Sequence, residues 1–234
     1  MPSLGRRLVA EAVGTFGLVF VGAAVVVVNG GFPNSGIGLL GIALAHAVVL
    51  SVMITATMTI SGGHLNPAVT IGLLLTRRIA LPAAGAYILT QLAAAAVGAL
   101  LVQWLLPAAA VRSTLLGLPV IASNVTLNQA IGIEAVLTFF LMFAVFGTAV
   151  SPDAPRVGGF GIGLVLLFDI LVGGPLTGAA MNPARAFGPA LVSGQWLGHV
   201  VYWVGPIAGA MVAALLWQHV LLPRTPPVRR RRTD

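Results

Sequence analysis

The sequence predicts an all-α membrane protein with six transmembrane helices, two re-entrant half-helices and an inverted repeat of three helices. Three observations support this fold: a composition suited to lipid, six apolar segments of bilayer length, and a tripeptide that occurs once in each half. Of the 234 residues, 58% are hydrophobic and only 7% are charged, and the mean hydropathy is +1.03. Because so few polar residues cannot cover a water-facing surface, most of the surface must face lipid.

The apolar segments define six membrane spans. They lie near residues 8–28, 38–60, 82–105, 128–149, 158–174 and 198–221. Each is close to the ~20 residues that a helix needs to cross a bilayer. Two shorter segments, near 66–76 and 182–192, would cover only about half of the hydrocarbon core. We expect these two to enter the membrane and turn back, with their irregular backbone kept in protein or in a wet cavity.

The tripeptide Asn-Pro-Ala begins each short segment. Its two copies are Asn66, Pro67 and Ala68 in the first half and Asn182, Pro183 and Ala184 in the second. Asn favours the N-cap of a helix and Pro favours the first helical position, so each copy predicts a helix start. Two starts that meet at mid-membrane would point their positive dipole ends and their asparagine amides into one passage.

Such a passage would hold a neutral molecule with lone pairs and would repel a cation or a proton. The alternative is that each Asn only caps its own loop. Two copies in a symmetric context favour the shared site, because related positions of an inverted repeat meet near the membrane midplane.

Two further pairs of segments relate the halves. Residues 11–16 match residues 134–139, and residues 87–103 match residues 202–218. Each half holds three spans, an odd number, so the second copy must start on the opposite face of the membrane. The expected result is an inverted repeat.

These repeats form one expected transmembrane channel domain over residues 1–234. The first repeat covers about 1–115 and the second about 116–222, and a basic tail occupies 223–234.

The placement of arginine predicts the orientation in the membrane. The net charge is +7. In the predicted arrangement of the six spans, the arginines on one side of the membrane are Arg6, Arg7, Arg77, Arg78, Arg156, Arg224 and Arg229 to Arg232. Arg112 lies in the loop on the other side. By the positive-inside rule both termini are cytoplasmic, and the tail is expected to touch anionic lipid rather than nucleic acid. A basic cytoplasmic tail fits the plasma membrane of a prokaryotic cell.

Arg185 directly follows the second tripeptide. A charge at membrane depth costs about 2.5–3.5 kcal/mol, so this side chain is expected to face water or a partner. The functional interpretation places it in the passage, and the structural one pairs it with Asp169 or with a loop carbonyl. His46 poses a similar choice, because a His on an apolar helix is more often a satisfied core residue than a filter group.

Glu11 and Glu134 occupy matched positions in the two repeats. As a proton relay, they would serve a coupled transporter. As structural groups, each would accept hydrogen bonds from the re-entrant backbone of its own half, which lipid cannot satisfy. Their symmetry mirrors the two loops that they would brace, and it therefore favours bracing.

The segments at residues 61–70 (SGGHLNPAVT) and 181–185 (MNPAR) are signatures of a known family. Over nearly its whole length the chain resembles an aquaporin, a member of the major intrinsic protein family. The resemblance implies a pore within every protomer and a homotetramer embedded in membrane lipid. It also implies that the backbone carbonyls of Gly63, His64 and Leu65 line a single file of molecules.

The same resemblance assigns a narrow outer filter to His46, Ile170, Ala179 and Arg185. This set is similar to that of plant tonoplast intrinsic proteins, which are associated with water plus ammonia, urea or hydrogen peroxide. Members that are strict water channels usually carry an aromatic residue at the position of His46 and a His at the position of Ile170. Strict selectivity for water is therefore not implied by these residues.

The predicted function is passive conduction of water and of small neutral solutes such as ammonia, urea and hydrogen peroxide, with protons and ions excluded. A glycerol-type facilitator is one alternative, although Ala186 and Ala190 stand where such members carry Asp and Lys. A proton-coupled secondary transporter would need a titratable group at the midplane, where the tripeptides supply neutral Asn. An intramembrane hydrolase would need an activated nucleophile, which nothing around Ser61 and His64 marks.

No cofactor or metal is expected for this function. The chain has no cysteine, and its four histidines show no paired ligand spacing.

Overall fold

The computed structural model describes residues 2–32 and 34–223 and is built almost entirely of helices. Its α-helices are α1 (Leu4–Gly31), α2 (Gly38–Thr57), α3 (Pro67–Leu75), α4 (Leu81–Leu105), α5 (Ala108–Ser113), α6 (Leu127–Val145), α7 (Phe160–Thr177), α8 (Pro183–Ser193) and α9 (Val201–Leu216). α6 and α9 continue into π-helical turns at Phe146–Val150 and Trp217–Leu221. The predicted tail from residue 224 onward lies outside the described residues.

Six of these helices are long and apolar enough to cross a membrane, which confirms the predicted spans. They are α1, α2, α4, α6, α7 and α9, where α6 and α9 are counted together with their π-helical turns. α2 ends at Thr57, earlier than predicted, because the chain turns there toward the first re-entrant segment. Large apolar side chains such as Val48, Leu89 and Phe168 remain exposed on the spans, as a surface that contacts lipid or another protein in the membrane requires.

α3 and α8 are the two predicted half-helices. They contain 9 and 11 residues, and each begins with Pro directly after an Asn in extended conformation. At about 1.5 Å per residue, neither helix is long enough to cross a hydrocarbon core of about 30 Å. Most residues of both helices are buried inside the ring of spans.

The two repeats interlock. α1 packs on α4 in the first repeat, and α6 packs in the same way on α9 in the second. Each half-helix, however, packs against the last span of the other repeat, since α3 contacts α9 and α8 contacts α4. Neither repeat can therefore bury its own half-helix alone, and the fold is complete only when both are present.

Small residues allow the backbones of neighbouring spans to come into direct contact. A Cβ atom built on Gly209 of α9 would overlap the carbonyl group of Ala135 in α6. A Cβ atom on Gly163 of α7 would overlap Ser51 in α2. In lipid, such close approach replaces the hydrophobic effect as the source of helix association.

Glu134 of α6 binds the second re-entrant segment and is fully buried. Its Oε1 atom accepts hydrogen bonds from the Thr177 hydroxyl at 2.7 Å and the Ala180 amide at 3.0 Å. Its Oε2 atom accepts one from the Met181 amide at 2.7 Å. The carboxylate thus takes up backbone donors that lie too deep in the membrane to meet lipid headgroups or bulk water.

Glu11 of α1 makes the same arrangement in the first repeat. Its Oε1 atom accepts from the Ser61 hydroxyl at 2.7 Å and the His64 amide at 2.9 Å. Its Oε2 atom accepts from the Leu65 amide at 2.7 Å and from Nε2 of Gln91 at 2.8 Å. The hydrogen bonds of the two acids are therefore related by the inverted repeat, as the structural interpretation of both acids requires.

Two tyrosines complete these symmetric braces. The hydroxyl of Tyr87 donates to the carbonyl oxygen of Ser61 at 2.8 Å, and the hydroxyl of Tyr202 donates to that of Thr177 at 2.8 Å. In the first repeat the tyrosine hydroxyl also accepts a hydrogen bond of 2.7 Å from Nε of Arg7.

Two of the arginines predicted on one side of the membrane, Arg7 and Arg78, lie at the same end of the bundle. Arg7 contacts Tyr87 near the start of α4. Arg78 donates to Oε1 of Gln218 at 3.1 Å, beside the π-helical end of the last span, and lies over the ring of Phe146 at 5.1 Å.

The linker between the repeats is more ordered than the predicted loop. It contains α5 and a 3₁₀ turn at Leu115–Gly117, in which all three residues have positive φ. A Cβ atom on Gly117 would lie 2.6 Å from the carbonyl oxygen of Ala23, so this turn packs directly on the backbone of α1.

Replacing Glu134 by Gln should destabilise the fold. The glutamine NH₂ group would face a backbone N–H donor, and leaving one buried donor unsatisfied costs about 1–3 kcal/mol. Thermal unfolding in detergent, followed by the fraction that elutes monodisperse, measures the loss. Asp153→Asn makes the same chemical change on an exposed loop and should leave the unfolding midpoint unchanged. Equal midpoints for Glu134→Gln and the wild type would contradict the bracing role.

Candidate functional site

The two asparagines of the repeated tripeptides are cross-bonded at the centre of the protein. Oδ1 of Asn66 accepts from the Ala68 amide at 2.8 Å, and Oδ1 of Asn182 accepts from the Ala184 amide at 2.9 Å, so each caps its own half-helix. Nδ2 of Asn66 donates to the carbonyl oxygen of Met181 at 2.9 Å, and Nδ2 of Asn182 donates to that of Leu65 at 2.9 Å. Each side-chain amide therefore also donates a hydrogen bond to the backbone carbonyl oxygen of the residue that precedes the other asparagine.

This arrangement leaves a free donor on each asparagine. An amide nitrogen carries two N–H groups, and the cross-bond uses one of them. Both side chains line the same internal cavity, so the second N–H group is available to a molecule inside it. The N-termini of α3 and α8 meet at this point, and their dipoles place partial positive charge on the same space.

The inner cavity and an outer cavity share two wall residues, His46 and Arg185. The inner cavity continues past the asparagines to Ile54 and Val145, toward the arginine-rich end of the bundle. The outer cavity is bounded by the linker turn at Gly117. His46 and Arg185 consequently stand where the two cavities meet.

Arg185 is held by backbone carbonyls. Its Nη1 atom donates to the carbonyl oxygen of Gly117 at 2.8 Å, and its Nη2 atom lies 3.5 Å from that of Gly22. Of the partners considered from the sequence, a loop carbonyl is the one that the guanidinium meets. These contacts fix the side chain on one wall, and its charge faces the boundary between the cavities.

His46 is buried with its ring between α1 and the cavities. Its Nδ1 atom lies 2.9 Å from the carbonyl oxygen of Ile42, one turn earlier in α2. Because a carbonyl only accepts hydrogen bonds, Nδ1 carries a proton, and in the neutral form of the ring Nε2 is then an acceptor.

The other two predicted filter residues lie on either side of this pair. Ile170 of α7 lines the outer cavity, and Ala179 of the second re-entrant segment lines the inner one. The four predicted filter residues thus come from α2, α7, the second re-entrant segment and α8, and each lines one or both of the two cavities.

The backbone before each half-helix adopts a left-handed conformation. φ is 61° at Gly63 and 50° at Leu65 in the first segment, and 46° at Ala179 and 51° at Met181 in the second. Gly63 and His64 are among the residues that line the inner cavity. The carbonyl group of Leu65 instead accepts the hydrogen bond from Asn182.

Asp169 is buried in α7 beside Ile170. Among residues 2–32 and 34–223, its Oδ2 atom has no hydrogen-bond partner. The sequence left its role open, and no contact of this carboxylate assigns it one.

Sequence reasoning missed the residues that support the filter from outside the motifs. Gly117 and Gly22 act through backbone carbonyl groups, which leave no signature in the type of side chain. Ser61 and Thr177, by contrast, occupy equivalent places in the two repeats, and this match could have identified them as further partners of the two acids.

Comparisons with known proteins agree with this geometry. The family model described as "Major intrinsic protein" matches residues 1–217. Aquaporin TIP4-4 of Zea mays is 43% identical over 226 residues, which cover 93% of this chain and 87% of the relative. Aquaporin TIP4-1 of Arabidopsis thaliana is 43% identical over 229 residues, covering 95% and 89%. Nodulin-26 of Glycine max is 40% identical over 220 residues, covering 92% and 78%.

Among solved structures, the X-ray structure of the aquaglyceroporin from Plasmodium falciparum matches with a TM-score of 0.82. The match covers 93% of this chain and 97% of that one at 24% identity, so it supports the fold. The family model matches nearly the whole chain, and the relatives are similar over most of their length. This protein therefore belongs to the major intrinsic protein family. It is an aquaporin-type, multi-pass membrane channel for the passive movement of water and small solutes, and it is not an enzyme.

Proposed function

We propose that the two cavities form one pore through each protomer, with His46, Ile170, Ala179 and Arg185 as its outer filter and Asn66 and Asn182 at its midpoint. The observation that carries this proposal is that His46 and Arg185 belong to the walls of both cavities. A molecule that passes from one cavity to the other must pass between these two side chains.

Exclusion of charge follows from the groups that face this pore. The guanidinium of Arg185 repels cations at the outer constriction. At the midpoint the dipoles of α3 and α8 and the two amide donors all favour a water molecule whose oxygen faces them. Such a molecule cannot at the same time accept a proton along the file, so the chain of hydrogen bonds is interrupted.

The filter also indicates which neutral solutes pass. Ala179 leaves space on one wall, Ile170 adds an apolar surface, and His46 with Arg185 supplies polar contacts on the other side. We propose that ammonia, urea and hydrogen peroxide pass in addition to water. Glycerol remains the alternative solute to be tested.

A proton-coupled mechanism is disfavoured by the geometry of the two buried acids. Both oxygens of Glu11 and both of Glu134 already accept hydrogen bonds from the re-entrant segments. Protonation of either acid would convert one of these acceptor oxygens into a donor, which would then face the donors that it now satisfies. These acids are proposed as braces of the pore and not as a proton relay.

We further propose that residues 1–234 form one channel domain, with repeats at about 1–115 and 116–222. The end of the bundle that holds Arg7 and Arg78 is proposed to be cytoplasmic. The relatives compared come from plants and give no support to a prokaryotic plasma membrane, so the host membrane stays a prediction from the basic tail.

Four copies are proposed to assemble in the membrane, each with its own pore. Apolar residues such as Val48 on α2 and Phe140 and Phe168 on α6 and α7 are exposed in the single chain and suit contact with a neighbouring copy. Native mass measurement after extraction in a mild detergent should give four protomers. A monomer at all protein concentrations would contradict this assembly.

His46→Phe should narrow the outer constriction. We expect flux of urea and ammonia through proteoliposomes to fall by roughly tenfold, and water flux by less, because an added steric penalty of about 1.4 kcal/mol corresponds to that factor. Stopped-flow light scattering with water, glycerol, urea and ammonia gradients measures all four fluxes. His219→Phe, on the exposed end of the last span, is the matched control. An equal fall in every flux would reject the filter assignment.

Arg185→Val should open the pore to cations. Loss of the fixed charge should raise proton leak at least roughly tenfold, since a repulsion of about 1.4 kcal/mol already accounts for that factor. The leak is followed with a pH-sensitive dye inside liposomes under a pH gradient. Arg112→Val removes the same charge from an exposed position in the linker and should leave the leak at the wild-type level. Unchanged leak in Arg185→Val would remove this residue from the filter.

A further inference from the structure

Gly22 of α1 touches both polar residues of the proposed filter. A Cβ atom built on it would lie 2.6 Å from Nε2, 3.0 Å from Cδ2 and 3.3 Å from Cε1 of His46. The carbonyl oxygen of the same residue lies 3.5 Å from Nη2 of Arg185. One residue of a helix outside the four-residue filter is therefore in contact with two of its members.

The contact at Gly22 differs from the helix-packing contacts of Gly163 and Gly209. The three atoms nearest to its added Cβ all belong to the imidazole ring. At Gly209 and Gly163, by contrast, the nearest atoms include the backbone of a neighbouring helix. A glycine inside a helix costs roughly 0.5–1 kcal/mol relative to alanine. At Gly22, the ring of His46 occupies the space that a side chain at this position would fill.

The ring of His46 has little freedom to move away from α1 without entering the pore. Its Nδ1 atom is tied to the carbonyl oxygen of Ile42. On its remaining side the ring faces the two cavities whose boundary it forms with Arg185. A methyl group at position 22 would occupy the space of the ring edge and displace the ring toward the pore.

We propose that Gly22 is a specificity-determining residue of this channel. Its missing side chain forms a recess that holds the imidazole ring of His46 against α1, and the depth of this recess sets the width of the outer constriction. The recess thereby determines how large a neutral solute can pass. This inference rests on the filter proposed above, and it adds a residue of α1 to it.

The test compares Gly22→Ala with the wild type in proteoliposomes, with urea as the larger probe and water as the smaller one. Urea permeability should fall by roughly tenfold and water permeability by less than about threefold. A tenfold change corresponds to about 1.4 kcal/mol, which lies within the usual steric cost of overpacking a well-packed site by one methyl group. Gly17→Ala is the matched control on the same helix. The three atoms nearest to its added Cβ all belong to the flexible side chain of Met53, the first at 3.2 Å, and both permeabilities should stay at the wild-type values.

A double variant shows whether the methyl group acts through the ring. His46→Ala removes the ring, and Gly22→Ala combined with His46→Ala should then have the same urea-to-water ratio as His46→Ala alone. A ratio that remains lowered in the double variant would overturn the inference. Where Gly22→Ala alone yields too little folded protein, recovery of folded protein in the double variant supports the contact between the methyl group and the ring, and a failure to recover it overturns the inference.

The outcomes also separate this inference from the proposed filter. If His46→Ala leaves the urea-to-water ratio at the wild-type value, the filter assignment itself is wrong. If His46→Ala raises the ratio while Gly22→Ala behaves like Gly17→Ala, the filter stands and the role of Gly22 is rejected.

Discussion

The structure depends on satisfying backbone amide groups at a depth where lipid offers no hydrogen-bond partner. Each re-entrant segment must leave the helical hydrogen-bond pattern before its half-helix begins, and it exposes amide groups at mid-membrane. Glu11 and Glu134 accept these amides, and the two asparagines take up both an amide and a carbonyl group. Without these four side chains, the backbone could not adopt this path inside a membrane.

The same hydrogen bonds stabilise a strained backbone that serves the pore. Leu65, Ala179 and Met181 have positive φ although none is a glycine, and such a conformation costs of order 1–2 kcal/mol per residue. The same stretches of backbone line the inner cavity through Gly63, Ala179 and Met181. The buried acids are thus part of the arrangement that lines the passage, even though they do not enter it.

The outer constriction is assembled from parts of the chain that are far apart in sequence. His46 comes from the second span and Arg185 from a half-helix of the other repeat. The carbonyl groups that position Arg185 come from the first span and from the linker between the repeats. The linker turn at Leu115–Gly117 therefore positions Arg185 of the proposed filter, in addition to connecting the two repeats.

The sequence by itself determined the six spans, the two half-helices with their asparagine caps and the symmetric pair of acids, because each follows from hydropathy, local capping preference or internal repetition. Only the tertiary structure decided that each asparagine binds the carbonyl group before the other, that Gly117 holds Arg185, and that Gly22 accommodates His46. These contacts involve backbone atoms or a missing side chain. Their partners are distant in the chain, so no pattern of residue types encodes them, and only the packing of the two repeats brings them together.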